Sequence, residues 1–342
     1  MKKGFFKPLL LYINSGYFMF KADQIAKELE DYLQGLEYVR NPEGLYIPVR
    51  YALSAGGKRI RPVLLVMAYN LYSDEIRKAF AAAAAMEIFH NFTLLHDDLM
   101  DNADVRRGMP TVHKKWNANT AILSGDVMLI LACRYLTSAS EGNPKPILDI
   151  ALETFIGIME GQQYDMEFET RDDVTEEEYI EMIRLKTSVL LAACLKIGAL
   201  LAGAGESDAN LLYRFGEKVG LAFQIQDDLL DVYGDPKVFG KKTGGDILCN
   251  KKTYLYINAY RRADAAMRKE LDRWKVYDGD DPQSKIDAVK AVYDAVHVRE
   301  QSEELIESLF DQAISDLAGV NLPDAKKAVL REYVKRLMNR VQ

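Results

Sequence analysis

Apolar positions recur every three or four residues along most of this chain. Ile25, Leu29, Tyr32, Leu33 and Leu36 fall on one face of a helical projection, and Ile180, Ile183, Thr187 and Leu190 fall on another. Alternating, β-branched segments bounded by turns are scarce, so the pattern predicts an all-α protein. Thr175 followed three residues later by Glu178 reads as a capping box and predicts a helix of about twenty residues. The run from Ala81 to Ala85 favours helix and carries little bulk, which predicts a central, buried helix lying close against its neighbours. Breaks fall at Gly56-Gly57, Gly108 to Pro110, Gly142 to Pro146, Gly234 to Pro236, Gly244-Gly245 and Asp278 to Pro282. None resembles an interdomain linker, and no repeat of fixed period is present. Residues 1–18 differ in character from the amphipathic stretch that begins at Met19. They are read as an N-terminal extension outside the fold, ahead of one domain over 19–342, whose last part, 256–342, reads as packing helices.

With 342 residues, 49% of them hydrophobic, the chain can bury one large core or two fused ones. Its 44 basic and 51 acidic residues leave a net charge of −7, which argues against a general nucleic-acid or anionic-membrane binder. Cys133, Cys194 and Cys249 are widely spaced and form no CxxC pair, so neither a disulfide framework nor a zinc site is expected and a reducing cytoplasm fits. The apolar N-terminal stretch is interrupted by Lys7 and Pro8 and is not read as a signal peptide. No uninterrupted run approaches the roughly 18 apolar residues of a membrane span, so a soluble protein is expected.

Two acidic clusters change the picture. DDLMD places Asp97, Asp98 and Asp101 at the end of an apolar helical stretch, and DDLLD places Asp227, Asp228 and Asp231 at the end of another. On a helix the first and fifth positions share a face, so each cluster projects two carboxylates the same way. Like charges at that spacing repel, and the arrangement is cheap only in solvent or around cations. One such cluster is readily a solvated helix end; two, each embedded in apolar sequence, point to metal. Oxygen-only donors without His or Cys suit Mg²⁺, which completes its shell with water and substrate phosphate oxygens. A diphosphate ligand follows.

Cationic donors accompany the acids. Lys58, Arg59 and Arg61 lie in GGKRIRP, and Arg106-Arg107 follows the first acidic cluster. Lys186, Thr187, Gln224, Lys241 and Lys251 lie near glycines or near the second. Any one of these is an ordinary surface charge by itself, and only the conjunction carries weight. His90, His96 and His113 lack a zinc-protease spacing, and satisfied structural histidines are the commoner case.

At these residues the chain resembles the trans-isoprenyl diphosphate synthases, or polyprenyl synthetases. The resemblance rests on GGKRIRP at 56–62, LLHDDLMDNADVRRGMPTVH at 94–113, LSGD at 123–126 and GQQYD at 161–165. It continues through LKTSVL at 185–190, FQIQDDLLDVYGD at 223–235, and GKKTGGDI with NKKT at 240–253. The order is the family's, over roughly residues 45 to 255. The resemblance implies a bundle of mostly antiparallel helices around a central cavity, with the two clusters facing each other and holding three Mg²⁺ on an allylic diphosphate. Asp97, Asp101 and Asp227 are implied as direct ligands, with Asp98, Asp228 and Asp231 completing the clusters. It assigns Arg106, Lys186, Thr187, Gln224, Lys241 and Lys251 to the allylic diphosphate. Lys58, Arg61, His90 and Arg107 are assigned to isopentenyl diphosphate, and Arg59 stays unassigned. The implied partners are these substrates and a second copy of the chain, since a homodimer is usual in the family.

The implied reaction ionises the allylic carbon–oxygen bond, adds the isopentenyl alkene to the cation and loses a proton. Product length then depends on what closes the cavity below the first cluster. Phe92 and Phe89 precede Asp97 by five and eight residues, and the small Thr93 lies near its face. These aromatics read equally as a chain-length floor and as core residues. Short-chain family members carry an aromatic where Phe92 stands. The first cluster has no two-residue insertion and position 93 is not aromatic, which favours a C20 product over C15. Two other readings stand beside this one. A terpene cyclase would need an asymmetric second metal motif, and a silent partner subunit should have lost aspartates.

Overall fold

The computed structural model describes residues 11–12, 18–38, 40–140, 142–235 and 243–339. Lys241 and most of the 1–18 extension lie outside these. Among the described residues the only strands are two-residue ribbons, Leu11–Tyr12 (β1) with Phe18–Met19 (β2) and Val105–Arg106 (β3) with Met109–Pro110 (β4). Everything else regular is helical, as the periodicity predicts. The chain divides into two compact units built from non-adjacent segments: 1–152, 193–212 and 320–330, and then 153–192, 213–319 and 331–342.

The first unit contains α1 (Ala22–Gln34), α2 (Glu43–Ser54), α3 (Ile60–Asn70), α4 (Phe80–Met100), the short α5 (Val112–Lys115) and α6 (Ala118–Ala139). Ile25, Leu29 and Leu33 are buried on α1, the face its spacing marks. Ala82 to Ala85 are fully buried, so α4 is the central helix that its alanines predict, packed along α6. α6 has the length and apolar content of a membrane span. One face of it packs on α4, with the Ser124 hydroxyl donating to Leu45 O at 3.0 Å, while Ile122, Leu123 and Ile130 on another face are exposed.

Later in the chain come α7 (Lys145–Thr170), α8 (Glu176–Ile183), α9 (Val189–Leu201), α10 (Glu206–Tyr233) and α11 (Gly245–Leu248). α12 (Tyr254–Arg262), α13 (Ala265–Lys275), α14 (Pro282–Ala295), α15 (Val298–Gly319) and α16 (Asp324–Asn339) complete the helices. The second unit buries one cluster around Leu255, Leu271, Trp274, Tyr293 and Val298, and another around Phe168, Tyr179, Met182, Ile225 and Tyr254. Thr175 caps α8 through the predicted box with Glu178. The predicted single helix differs in one respect: a π turn at Arg184–Ser188 separates α8 from α9. Two glycines explain its tight seat. A Cβ on Gly161 of α7 would lie 2.4 Å from Lys186 N, and one on Gly220 of α10 would lie 2.6 Å from Ser188 Cα. Such π turns concentrate at functional positions.

Candidate active site

The last turn of α4 sorts its aspartates by direction. Asp97 is half-buried, Asp98 is buried and Asp101, the C-cap, is exposed. Asp98 Oδ1 accepts from Arg106 Nε at 2.6 Å, and Arg106 is delivered by the β3–β4 ribbon. Burial raises the Asp98 carboxyl above the usual range, while the Arg106 guanidinium opposes that rise. The ribbon turns tightly at Arg107 and Gly108, both at positive φ. The Arg107 guanidinium donates to Gly56 O. A Cβ on Gly57, itself at φ +134°, would stand 2.7 Å from that guanidinium, so the arginine can lie there only over glycine.

Beneath this turn the basic run splits into different tasks. Lys58 is exposed. Arg59 points into the first unit, where Nη1 meets Glu87 Oε1 at 2.5 Å, Nε meets Glu30 Oε2 at 3.0 Å and Nη2 donates to Leu53 O at 2.9 Å. These bonds fasten α1, α2 and α4 to one guanidinium. Arg61 Nη1 donates to His90 Nε2 at 3.1 Å, and its buried Nε meets no hydrogen-bond acceptor. A guanidinium cannot accept, so His90 Nε2 is the unprotonated nitrogen. Burial, followed by the charges of Arg61, Arg107, Arg106 and Arg59, pushes the His90 pKa well below its ordinary value. The imidazole is therefore neutral, and Arg61 and Arg107 leave a local excess of positive charge suited to a polyanion.

On the same helix Phe89 is fully buried, and Phe92 packs on it at 5.5 Å between ring centroids. Phe92 also meets His96 edge to face at 4.8 Å. His96 lies against Gly125 of α6, where a Cβ would come within 2.2 Å of its ring. The Thr93 hydroxyl donates back to His90 O at 2.8 Å. His113 Nδ1 is hydrogen-bonded to Thr111 Oγ1 at 3.2 Å. His96 and His113 thus have structural partners.

The second unit repeats the sorting of the first. On α10, Asp227 is exposed, Asp228 is buried and Asp231 is half-buried. Asp228 Oδ2 accepts from the Tyr179 hydroxyl and Oδ1 from Gln224 Nε2 at 3.3 Å. Thr187 Oγ1 donates to Gln224 Oε1 at 3.2 Å. Burial pushes the Asp228 carboxyl up to about 7 against the pull of the Tyr179 hydroxyl. Lys186, on the π turn, meets Asp165 Oδ2 at 2.5 Å, and Lys251 is 3.9 Å from Asp246. Asp231 Oδ2 accepts from Asp246 N at 2.9 Å. Burial raises Asp246, Lys251 draws it down, and Asp231, Asp227 and Asp165 push it further up. Asp165, Asp246 and Tyr179 were not singled out from sequence, although the first two lie inside quoted motifs.

Both clusters offer carboxylate oxygens alone; the second aspartate of each accepts from a neighbouring side chain, and Asp231 accepts from Asp246 N. Among the described residues no three His, Cys, Asp or Glu side chains form a ready metal cage. The oxygen-only donor set of the two clusters fits Mg²⁺, whose octahedral shell keeps water and substrate oxygens beside one or two carboxylates.

Residues 42–296 match the polyprenyl synthetase family. A geranylgeranyl diphosphate synthase of Methanosarcina mazei is 46% identical over 227 residues, 66% of this chain and 70% of that protein. A geranylfarnesyl diphosphate synthase of Natronomonas pharaonis is 41% identical over 240 residues, 65% of this chain and 70% of its own length. The crystal structure of a geranylgeranyl pyrophosphate synthase has a TM-score of 0.89 at 40% identity, covering 95% of this chain and all of that one. With its motifs in order on an all-helical framework, the chain belongs to the polyprenyl synthetase family.

Proposed function

We propose that this protein is a short-chain trans-prenyltransferase that extends dimethylallyl, geranyl and farnesyl diphosphate with isopentenyl diphosphate and releases C20 geranylgeranyl diphosphate. The observation that carries the reading is the repeated sorting of the aspartates. In each cluster the second aspartate is buried and accepts from a neighbouring side chain, Arg106 for Asp98 and Tyr179 for Asp228, while the first and fifth are half-buried or exposed. All six aspartates stand, which disfavours a silent partner subunit, and the second DDLLD disfavours a terpene cyclase.

Asp97, Asp101, Asp227 and Asp231 are the residues that would hold Mg²⁺. The bound metal would supply electrostatic stabilisation of the charge that gathers on a departing diphosphate. By the resemblance, Lys186, Lys251 and Arg106, with Lys241 added by the motif, would donate hydrogen bonds to the allylic diphosphate. As the allylic carbon–oxygen bond breaks, its electron pair leaves with the diphosphate. The alkene of isopentenyl diphosphate, its own diphosphate retained by Arg61, Arg107 and Lys58 above the neutral His90, then forms the new carbon–carbon bond. A proton lost to the released diphosphate completes the double bond. Thr187 and Gln224 present dipoles beside this chemistry, and fixed orientation together with exclusion of water favours coupling over hydrolysis.

Phe92, backed by Phe89 and His96, supports a closed end and a C20 product, as do relatives named for geranylgeranyl diphosphate. A homodimer is supported by the apolar surface of α6, where Ile122, Leu123 and Ile130 are exposed. Cysteines without disulfide partners fit a cytoplasmic setting. Replacing Asp97 or Asp227 with Ala tests the metal reading: each should abolish elongation, and titration with Mg²⁺ should fail to restore it.

A further inference from the structure

Tyr179 belongs to none of the motifs, and its ring packs among Phe168, Met182, Ile183 and Ile225, where Phe would serve as well. The hydroxyl needs a separate explanation. It donates to Asp228 Oδ2, while Asp228 Oδ1 accepts from Gln224 Nε2 at 3.3 Å and Gln224 Oε1 accepts from Thr187 Oγ1 at 3.2 Å. Three hydrogen bonds thus run in series from α8, through α10, to the π turn that carries Lys186.

We infer that Tyr179 is a positioning residue for the prenyl transfer, holding Asp228 so that the Gln224 amide and the Thr187 hydroxyl keep one orientation in the pocket they share with Lys186. This rests on the prenyltransferase reading of that pocket, which Asp165, Lys186, Thr187, Gln224, Lys251 and Thr253 help to line. A glutamine amide has two senses, and only its neighbours choose between them. Asp228 Oδ1 accepts from the Gln224 NH₂, which turns the amide carbonyl oxygen toward Thr187. Asp228 can perform this selection only while its own rotation is fixed, and the Tyr179 hydroxyl fixes it from the opposite oxygen. Without that hydroxyl the buried carboxylate keeps one long hydrogen bond and swings, and Gln224 and Thr187 lose their register. Lys186 and Lys251 are untouched, so substrate binding should survive while the chemical step suffers.

The test is Tyr179→Phe, measured beside the wild type in steady-state turnover and thermal melting. A kcat loss of about 10- to 100-fold is expected, the size associated with leaving a buried acceptor short of a donor. KM for both substrates should stay within about threefold, and Tm within roughly 3 °C. The same substitution made on an Asp228→Asn background should cost less than about threefold, because the carboxyl group that Tyr179 holds is gone. Unchanged kcat in Tyr179→Phe, equal losses on both backgrounds, or a loss matched by a large fall in Tm would each overturn the inference while the wild type still elongates. A wild type that elongates nothing would remove the underlying reading and the inference with it.

Discussion

Arg59 and Glu87 form an ion pair at 2.5 Å, with both side chains almost sealed from solvent, while Arg61, two residues on, turns toward His90. Neighbouring arginines of one basic run therefore do different work. Arg59→Ala would leave Glu87 as an uncompensated buried charge, so a stability loss of about 3–5 kcal/mol is expected in urea unfolding. Arg61→Ala should instead raise KM for isopentenyl diphosphate, with a smaller effect on unfolding. Equal unfolding curves for the two variants would contradict this division.

That division marks where sequence reading stops. Helical class, the buried alanines of α4, the Thr175 cap and both acidic clusters were legible because each is written in residues a few positions apart. Arg59 with Glu87 spans 28 positions and Tyr179 with Asp228 spans 49, and no local pattern announces such pairs. The inward turn of Asp98 and Asp228 was hidden for the same reason, since spacing shows which carboxylates share a face and not which find a partner. The π turn was missed because its seat is made by Gly161 and Gly220 on other helices. Lys241 lies outside the described residues.

Gly161 gives a sharp test of that seat. A methyl group there meets the Lys186 backbone, which cannot swing aside as a side chain would. Gly161→Ala should displace Lys186 and Thr187 and lower kcat by about 100-fold, as small misplacements of substrate-holding groups do. Steady-state turnover with a melting curve checks it; wild-type kcat would show that the turn has room to move.

Phe92→Ala removes the ring that lies between Phe89 and His96. The variant should make products longer than the wild type's and lose about 3–5 kcal/mol of stability from the cavity left behind. Chromatographic sizing of dephosphorylated products reads the first effect and urea unfolding the second. A product of unchanged length would place the limit elsewhere.

Asp228 sets a pH dependence. Its carboxyl is raised from 3.8 to about 7 mainly by burial, so between those values the folded protein keeps a proton that the unfolded chain has released. Stability from this group is therefore greatest below the ordinary aspartate pKa and falls as pH climbs toward about 7. In metal-free buffer Asp228→Asn should flatten that part of the Tm–pH curve and melt above the wild type at pH 8. Parallel curves would show that Asp228 ionises normally in the fold.

The most direct measurement is a product assay with purified protein, Mg²⁺, radiolabelled isopentenyl diphosphate and separate C5, C10 and C15 allylic primers, the products being dephosphorylated and sized. The account predicts elongation of these primers to a C20 alcohol. No incorporation with any primer would contradict it.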